Sequence, residues 1–192
     1  MEHRFAVCMT NWLNNYYPRG HIEQIKLEYG IEVLLDNLIK IIVILNFGAV
    51  LGILKESLVV WIGFGALRIQ AGGYHCNTNI GCWMISIAVV LGGGALAHVN
   101  KIPLGVTAVV LLLSVVVAVL YAPSGTTNNP ISPQYYKPMK MRSILLILIY
   151  LSITIFDTKY GIGKMLAIGT VCEIVSLLPW VNRKYKKKLP SA

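Results

Sequence analysis

Long apolar stretches separated by short polar segments dominate this sequence. Six can be distinguished, over residues 41–54, 57–67, 80–97, 104–122, 143–157 and 161–181. Because a helix needs about 20 apolar residues to cross a bilayer, the longer stretches predict membrane-spanning helices. The first can be extended by turns from Ile31 onward, whereas the second continues from Arg68 or dips only part way. The pattern predicts an all-α polytopic membrane protein with about six membrane segments. The alternative is four spans plus a re-entrant pair.

Composition supports lipid as the solvent of these stretches. Hydrophobic residues make up 56% of the 192 residues and charged residues only 13%, against about 25% charged in a soluble domain. In a soluble protein the net charge of +9 would indicate a nucleic-acid partner. Here the basic residues lie at the ends of apolar stretches and in loops, without a basic and aromatic stripe. We therefore expect membrane lipids, and not a nucleic acid, as the partner of these basic residues.

The distribution of basic residues predicts an orientation. With the N-terminus in the cytoplasm and six spans, 13 of the 17 Lys and Arg residues fall on the cytoplasmic side and 4 on the outside. Cytoplasmic loops of membrane proteins carry the excess of basic residues. The sequence thus predicts that both termini and the loops 68–79 and 123–142 are cytoplasmic. The basic tail over 182–192 is expected to lie at anionic headgroups.

The N-terminal region, residues 1–40, is more polar than the rest. Five polar residues recur there every fourth position: Gln24, Glu28, Glu32, Asp36 and Lys40. This spacing places them along one face of an amphipathic helix. One interpretation is an interfacial helix with a solvated stripe. The other is that the acidic members, Glu32 and Asp36, line a groove for a peptide substrate.

The reactive groups concentrate in one polar loop, which begins at Arg68 and ends at Cys82. A cysteine nucleophile needs a base within hydrogen-bond reach. His75 and Cys82 would lie about 10.5 Å apart along one continuous helix, which is too far for direct proton transfer. The segment must therefore fold back. A run of capping residues at 77–79 allows this, with Asn79 as the cap of the third apolar helix.

Cys82 would then lie in the first helical turn, where the helix dipole stabilises a thiolate. Cys76 is the rival nucleophile, but it adjoins His75, and adjacent side chains in extended backbone point apart. Backbone N–H groups at the helix start could stabilise an oxyanion. Arg68 could supply a fixed positive charge, bind a substrate carboxylate, or simply extend to the membrane interface. The cysteine spacing matches no zinc motif, so no metal and no cofactor is expected.

A second functional class rests on Glu173, a carboxylate within the last apolar stretch. Ionisable groups inside a membrane often mark an ion path. This residue is the main support for a non-enzymatic transporter, channel or assembly subunit.

The order of these residues resembles the accessory gene regulator B (AgrB) family, the membrane endopeptidases of bacterial peptide quorum sensing. The resemblance is carried by Arg68, Gly72-Gly73, His75 and Cys82 with the family's six-residue gap, Tyr121-Ala122-Pro123, Asn129-Pro130-Ile131, a basic stretch ending at Arg142, Glu173 and Leu177-Leu178-Pro179. It covers most of the chain.

The resemblance implies one membrane-embedded peptidase domain over residues 1–192, located in the bacterial plasma membrane. It implies that Cys82 attacks a carbonyl in a short autoinducer propeptide, with His75 as base and then acid. The resulting thioester would close to a thiolactone or lactone. The expected partners are an AgrD-like propeptide and lipids, and a homodimer is left open. The expected substrate-binding or supporting residues are Arg68, Gly72, Gly73, Glu32, Asp36 and Glu173.

Overall fold

The computed structural model describes residues 2–18, 20–73, 79–99, 101–125, 131–157 and 160–178. The regular elements of those ranges are seven α-helices: α1 (Glu2–Tyr16), α2 (His21–Val50), α3 (Leu54–Ala71), α4 (Asn79–Val99), α5 (Leu104–Tyr121), α6 (Pro133–Phe156) and α7 (Ile162–Leu177). Each of the six apolar stretches falls largely within one helix, from α2 to α7. The prediction of an all-α polytopic membrane protein is confirmed.

Four of these helices are long and apolar enough to cross a membrane, namely α2, α4, α5 and α6. Of the others, α3 has 18 residues but carries Lys55, Glu56 and Arg68, and α7 has only 16 residues. The number of segments that cross the bilayer stays a prediction.

The chain divides into two compact units, Met1–Asn46 and Phe47–Ala192. In the first unit, Ala6 and Thr10 of α1 are fully buried, and the Gln24 side chain on α2 donates a hydrogen bond to Asn11. The polar segment 22–40 and the first apolar stretch form one continuous helix of 30 residues. No proline interrupts that segment, so nothing forces the helix to end before the apolar stretch.

In the second unit, α3 and α7 pack closely on each other, while α4 and α6 pack against both and α5 packs against α6 and α7. Small residues permit the close approach. A Cβ at Gly169 would lie 2.6 Å from the Val60 carbonyl oxygen, and a Cβ at Gly63 would lie 3.3 Å from the Leu166 Cα. Membrane helices associate through such van der Waals contacts between small residues. The two less typical membrane helices are thus packed among the long apolar ones.

The helices α3 to α7 alternate in direction, which gives the unit two ends. At one end His98, in the last turn of α4, lies 3.2 Å from the Glu56 carboxylate in the first turn of α3. The Lys55 ammonium donates to the Tyr160 carbonyl, which precedes α7. At the other end lie residues 68–73, 79–82, 122–125 and 173–178, which we call the site face. The end that carries His98, Glu56 and Lys55 is the opposite face, which comprises residues 54–57, 98–99, 101–103, 156–157 and 160–162.

Candidate functional site

Cys82 lies at the site face, in the first turn of α4. The helix begins at Asn79, which agrees with the predicted helix start to within one residue, although Asn79 is the first helical residue rather than the cap. Cys82 carries a free, partly buried thiol. The N-terminus of a helix carries a partial positive charge, and the Cys82 thiol lies in that first turn.

His75 and Cys76 belong to the segment 74–78, which lies outside the described residues. The expected pairing of His75 with Cys82, and the choice between Cys82 and Cys76, therefore stay predictions. The chain on either side of that segment is described: Gly73 ends the part attached to α3, and Asn79 begins α4.

Arg68 and Glu173, which are 105 positions apart in the sequence, form an ion pair across α3 and α7. The Arg68 Nη1 donates to Glu173 Oε2 at 3.1 Å, and the Ser176 hydroxyl donates to Glu173 Oε1 at 3.1 Å. The Glu173 side chain is fully buried, whereas 23% of the Arg68 side chain is exposed. Both carboxylate oxygens thus have partners, as a buried charge requires. We call this group the Arg68–Glu173–Ser176 cluster.

The backbone that leaves α3 is held at two adjacent glycines. Gly72 and Ser124 form a parallel bridge, in which the Gly73 N–H donates to the Ser124 carbonyl at 2.9 Å and the Ser124 N–H donates to the Ala71 carbonyl at 2.8 Å. Gly72 has φ +74° and Gly73 φ +114°, conformations that glycine adopts without strain. A Cβ at Gly73 would lie 2.3 Å from the Ser176 hydroxyl and 2.8 Å from Glu173 Oε1. Gly73 therefore packs directly against the Arg68–Glu173–Ser176 cluster.

Four of the predicted supporting residues are thus brought together at the site face: Arg68, Gly72, Gly73 and Glu173. Glu32 and Asp36 lie on α2 within the first unit, where Asp36 pairs with Lys40 at 2.5 Å. The proposed groove along them stays a prediction. Ser176 and Ser124 were not anticipated. Ser176 could have been noticed as a polar residue three positions after Glu173, on the same face of an apolar helix, whereas Ser124 acts through its backbone.

The described residues contain no group of three or more His, Cys, Asp or Glu placed to hold a metal ion.

The fold and the site together define a class: a polytopic α-helical membrane protein with a free cysteine at a helix start and, at the same face, an ion pair whose carboxylate is fully buried. The chain belongs to the accessory gene regulator B family, whose sequence model matches residues 6–177. That range includes Arg68, Cys82 and Glu173.

Individual relatives agree with this assignment over most of their length. The chain is 30% identical to accessory gene regulator protein B of Staphylococcus aureus strain MRSA252, over 83% of this chain and 84% of that protein. It is 28% identical to accessory gene regulator protein B of Staphylococcus intermedius, over 83% and 85%. It is also 28% identical to an AgrB-like protein of Clostridium acetobutylicum, over 95% and 90%. No solved structure gave a significant match.

Proposed function

We propose that this protein is a membrane cysteine endopeptidase that cleaves a short, membrane-associated autoinducer propeptide in quorum sensing. The observation that carries the proposal is the free thiol of Cys82 in the first turn of α4, in a chain of the accessory gene regulator B family. The thiol follows the segment 74–78, which contains the only histidine of the loop between α3 and α4. A nucleophile near a base, at a helix N-terminus, is the arrangement that thiol catalysis needs.

The reaction begins when His75 takes the thiol proton and the Cys82 sulfur attacks a backbone carbonyl of the propeptide. The N-terminus of α4 favours the negative charge that develops on the carbonyl oxygen. The C–N bond then breaks, and His75 gives its proton to the departing amine. The N-terminal part of the propeptide stays attached to Cys82 as a thioester. A thiol or hydroxyl of the same peptide attacks that thioester, which closes a thiolactone or lactone and returns the proton to Cys82.

The same proposal places the site face in the cytoplasm of a bacterial cell, where a newly made propeptide is available. The excess of basic residues in the segments attached to this face supports that orientation. The partners are an AgrD-like propeptide and membrane lipids, and a homodimer stays open. Residues 1–192 then form a single peptidase domain, which includes the N-terminal region 1–40 and the basic tail 182–192.

The alternative, a transporter or assembly subunit, rested on Glu173 as a buried carboxylate. Glu173 is paired with Arg68 and Ser176, and an ion pair that satisfies both oxygens gives this carboxylate a structural reason to be buried. The observation that favoured an ion path therefore has another explanation.

The deciding experiment measures cleavage and acyl-enzyme formation with purified protein in lipid vesicles and a synthetic propeptide, followed by mass spectrometry. Cys82→Ala should reduce cleavage by a factor on the order of 10⁴ or more, because it removes the covalent nucleophile. Cys82→Ser should be similarly inactive, and His75→Ala should be severely impaired. Cys76→Ser and Cys172→Ala are the matched controls and should retain most activity. An adduct on Cys76, or cleavage by Cys82→Ala, would show that the nucleophile is wrongly assigned.

A further inference from the structure

Glu173 is held in a place where a carboxylate is costly. It is fully buried, and it lies four residues before the end of α7, where the partial negative charge of the helix C-terminus disfavours another anion. A buried ion pair is weak support for stability, because apolar residues of similar volume often stabilise a fold equally well. Its burial beside Arg68 therefore needs an explanation other than stability, and the groups around the pair supply one.

The groups around Glu173 lie at the end of α3, where the chain continues into residues 74–78. Arg68 is in the last turn of α3, and the Arg68–Glu173–Ser176 cluster fixes that turn to α7. Gly73 packs on the cluster so closely that a Cβ has no room. The bridge between Gly72 and Ser124 fixes the same backbone to the segment after α5. Two independent anchors therefore set the direction of the chain immediately before residue 74.

Only residues 74–78 separate this anchored point from the start of α4. Five residues can return to a helix start in few ways, and the direction of the first one restricts them further. An error of about 1 Å in the placement of a base can cost about 100-fold in rate. The fixed backbone at Gly72 and Gly73 thus restricts the placement of His75, and the start of α4 restricts the placement of Cys82.

We propose that Glu173 and Ser176 are positioning residues for the peptidase reaction: they hold Arg68 and support Gly73, and thereby fix the backbone from which the chain continues into the segment that contains His75. This inference rests on the proposed function. Arg68 then acts through its pair with Glu173, and neither residue needs to contact the propeptide. If Arg68 instead bound a substrate carboxylate, Glu173 would only orient it, and the effect of its loss would fall on substrate affinity.

The test uses a full-length protein in which Cys82 is the only cysteine. The first readout is the rate of Cys82 alkylation by iodoacetamide near neutral pH, which needs no propeptide. The second is kcat and KM for propeptide cleavage. Glu173→Gln keeps the shape of the side chain and removes its charge. It should slow alkylation to within about threefold of the His75→Ala rate and lower kcat by about 10- to 100-fold, with KM little changed. Glu56→Gln, which removes the paired carboxylate at the opposite end of α3, is the matched control and should leave both readouts unchanged.

The decisive comparison is the double variant. If Glu173 acts through His75, adding Glu173→Gln to His75→Ala should slow alkylation and cleavage no further, because the two changes remove the same contribution. The inference would be overturned if the double variant were slower than His75→Ala by the full effect of Glu173→Gln. It would also be overturned if Glu173→Gln raised KM and left the alkylation rate unchanged. Ser176→Ala removes one hydrogen bond and keeps the ion pair, so it provides a milder version if Glu173→Gln does not fold. It should slow alkylation by about threefold, and again not in the His75→Ala background. An unchanged rate in Ser176→Ala would count against the role of Ser176.

The proposed function can fail separately. If His75→Ala leaves Cys82 alkylation unchanged and Cys82→Ala still cleaves, the nucleophile and base are wrong. If those variants behave as expected while the Glu173 variants do not, only the positioning role is wrong.

Discussion

The contact between α3 and α7 predicts that Gly169→Ala will damage the protein although it adds a single methyl group. The new Cβ would lie 2.6 Å from the Val60 carbonyl oxygen and 2.8 Å from the Phe64 backbone nitrogen. Ordinary contacts of this kind are about 3.5 Å or more, so the two helices must separate by roughly 0.7–0.9 Å. Both clashing atoms belong to backbone, so no side-chain rotation can relieve them.

The cost follows from that separation. A gap of 0.5–1 Å loses about a quarter to a half of each dispersion contact along the helix pair, and overpacking of this kind costs about 1–3 kcal/mol. Alanine regains up to about 1 kcal/mol of helix propensity over glycine. We therefore expect a net destabilisation of about 1–2 kcal/mol. Glu173 lies one turn beyond Gly169, so activity should also fall, by about tenfold or more.

Thermal unfolding in detergent micelles measures the stability, and propeptide cleavage per folded molecule measures the activity. Gly92→Ala in α4 is the matched control, because a Cβ there meets nothing within 4 Å. It should be neutral or stabilising by up to about 1 kcal/mol. A Gly169→Ala protein as stable as Gly92→Ala would refute the close backbone contact, and with it the packing that holds Glu173 beside Arg68.

Two further predictions concern the ends of the second unit. A cysteine introduced at Asn77 should be inaccessible to a membrane-impermeant reagent added outside right-side-out vesicles, whereas one at Lys101 should react; labelling at Asn77 would reverse the orientation. Asp157→Ala should destabilise the protein by about 0.5–2 kcal/mol, because the Asp157 carboxylate accepts hydrogen bonds from the N–H groups of Tyr160, Ile162 and Gly163 before and within the first turn of α7. Thermal unfolding tests this, activity per folded molecule should stay normal, and an unchanged midpoint would contradict the capping role.

The helices themselves could be predicted from the sequence because apolar runs report membrane helices directly. That the polar segment 22–40 and the first apolar stretch form one continuous helix could not be predicted, because a change in polarity does not show whether a helix ends. Gly30 lies inside the polar half and only weakens it. The helix α1 has no continuous apolar run, and its buried residues, Ala6 and Thr10, are too small and too few to stand out in a sequence.

The components of the site could be named singly, but their arrangement could not. Arg68 was expected to supply a fixed charge, bind a substrate carboxylate or extend to the membrane interface, and Glu173 was treated as an isolated carboxylate. Their pairing could not be predicted, because 105 positions separate them and no local pattern relates them. The start of α4 was different: capping residues next to an apolar run are a local signal, and they located Cys82 in the first turn. Local signals thus located the proposed nucleophile, whereas the supporting cluster depends on the tertiary packing of α3 on α7.

The directions of the helices connect these two halves of the site. At the site face α4 presents its N-terminus, which favours an anion, while α3 and α7 present their C-terminal ends, which favour cations. Arg68 lies at the helix end that suits its charge, whereas Glu173 does not. Arg68 lies between the C-terminal end of α3 and the Glu173 carboxylate, so its charge offsets the partial negative charge of the first and the full charge of the second. If Arg68 moved to a substrate, both negative groups would lose this partner. Arg68 is therefore better suited to remain fixed during the reaction than to follow the propeptide.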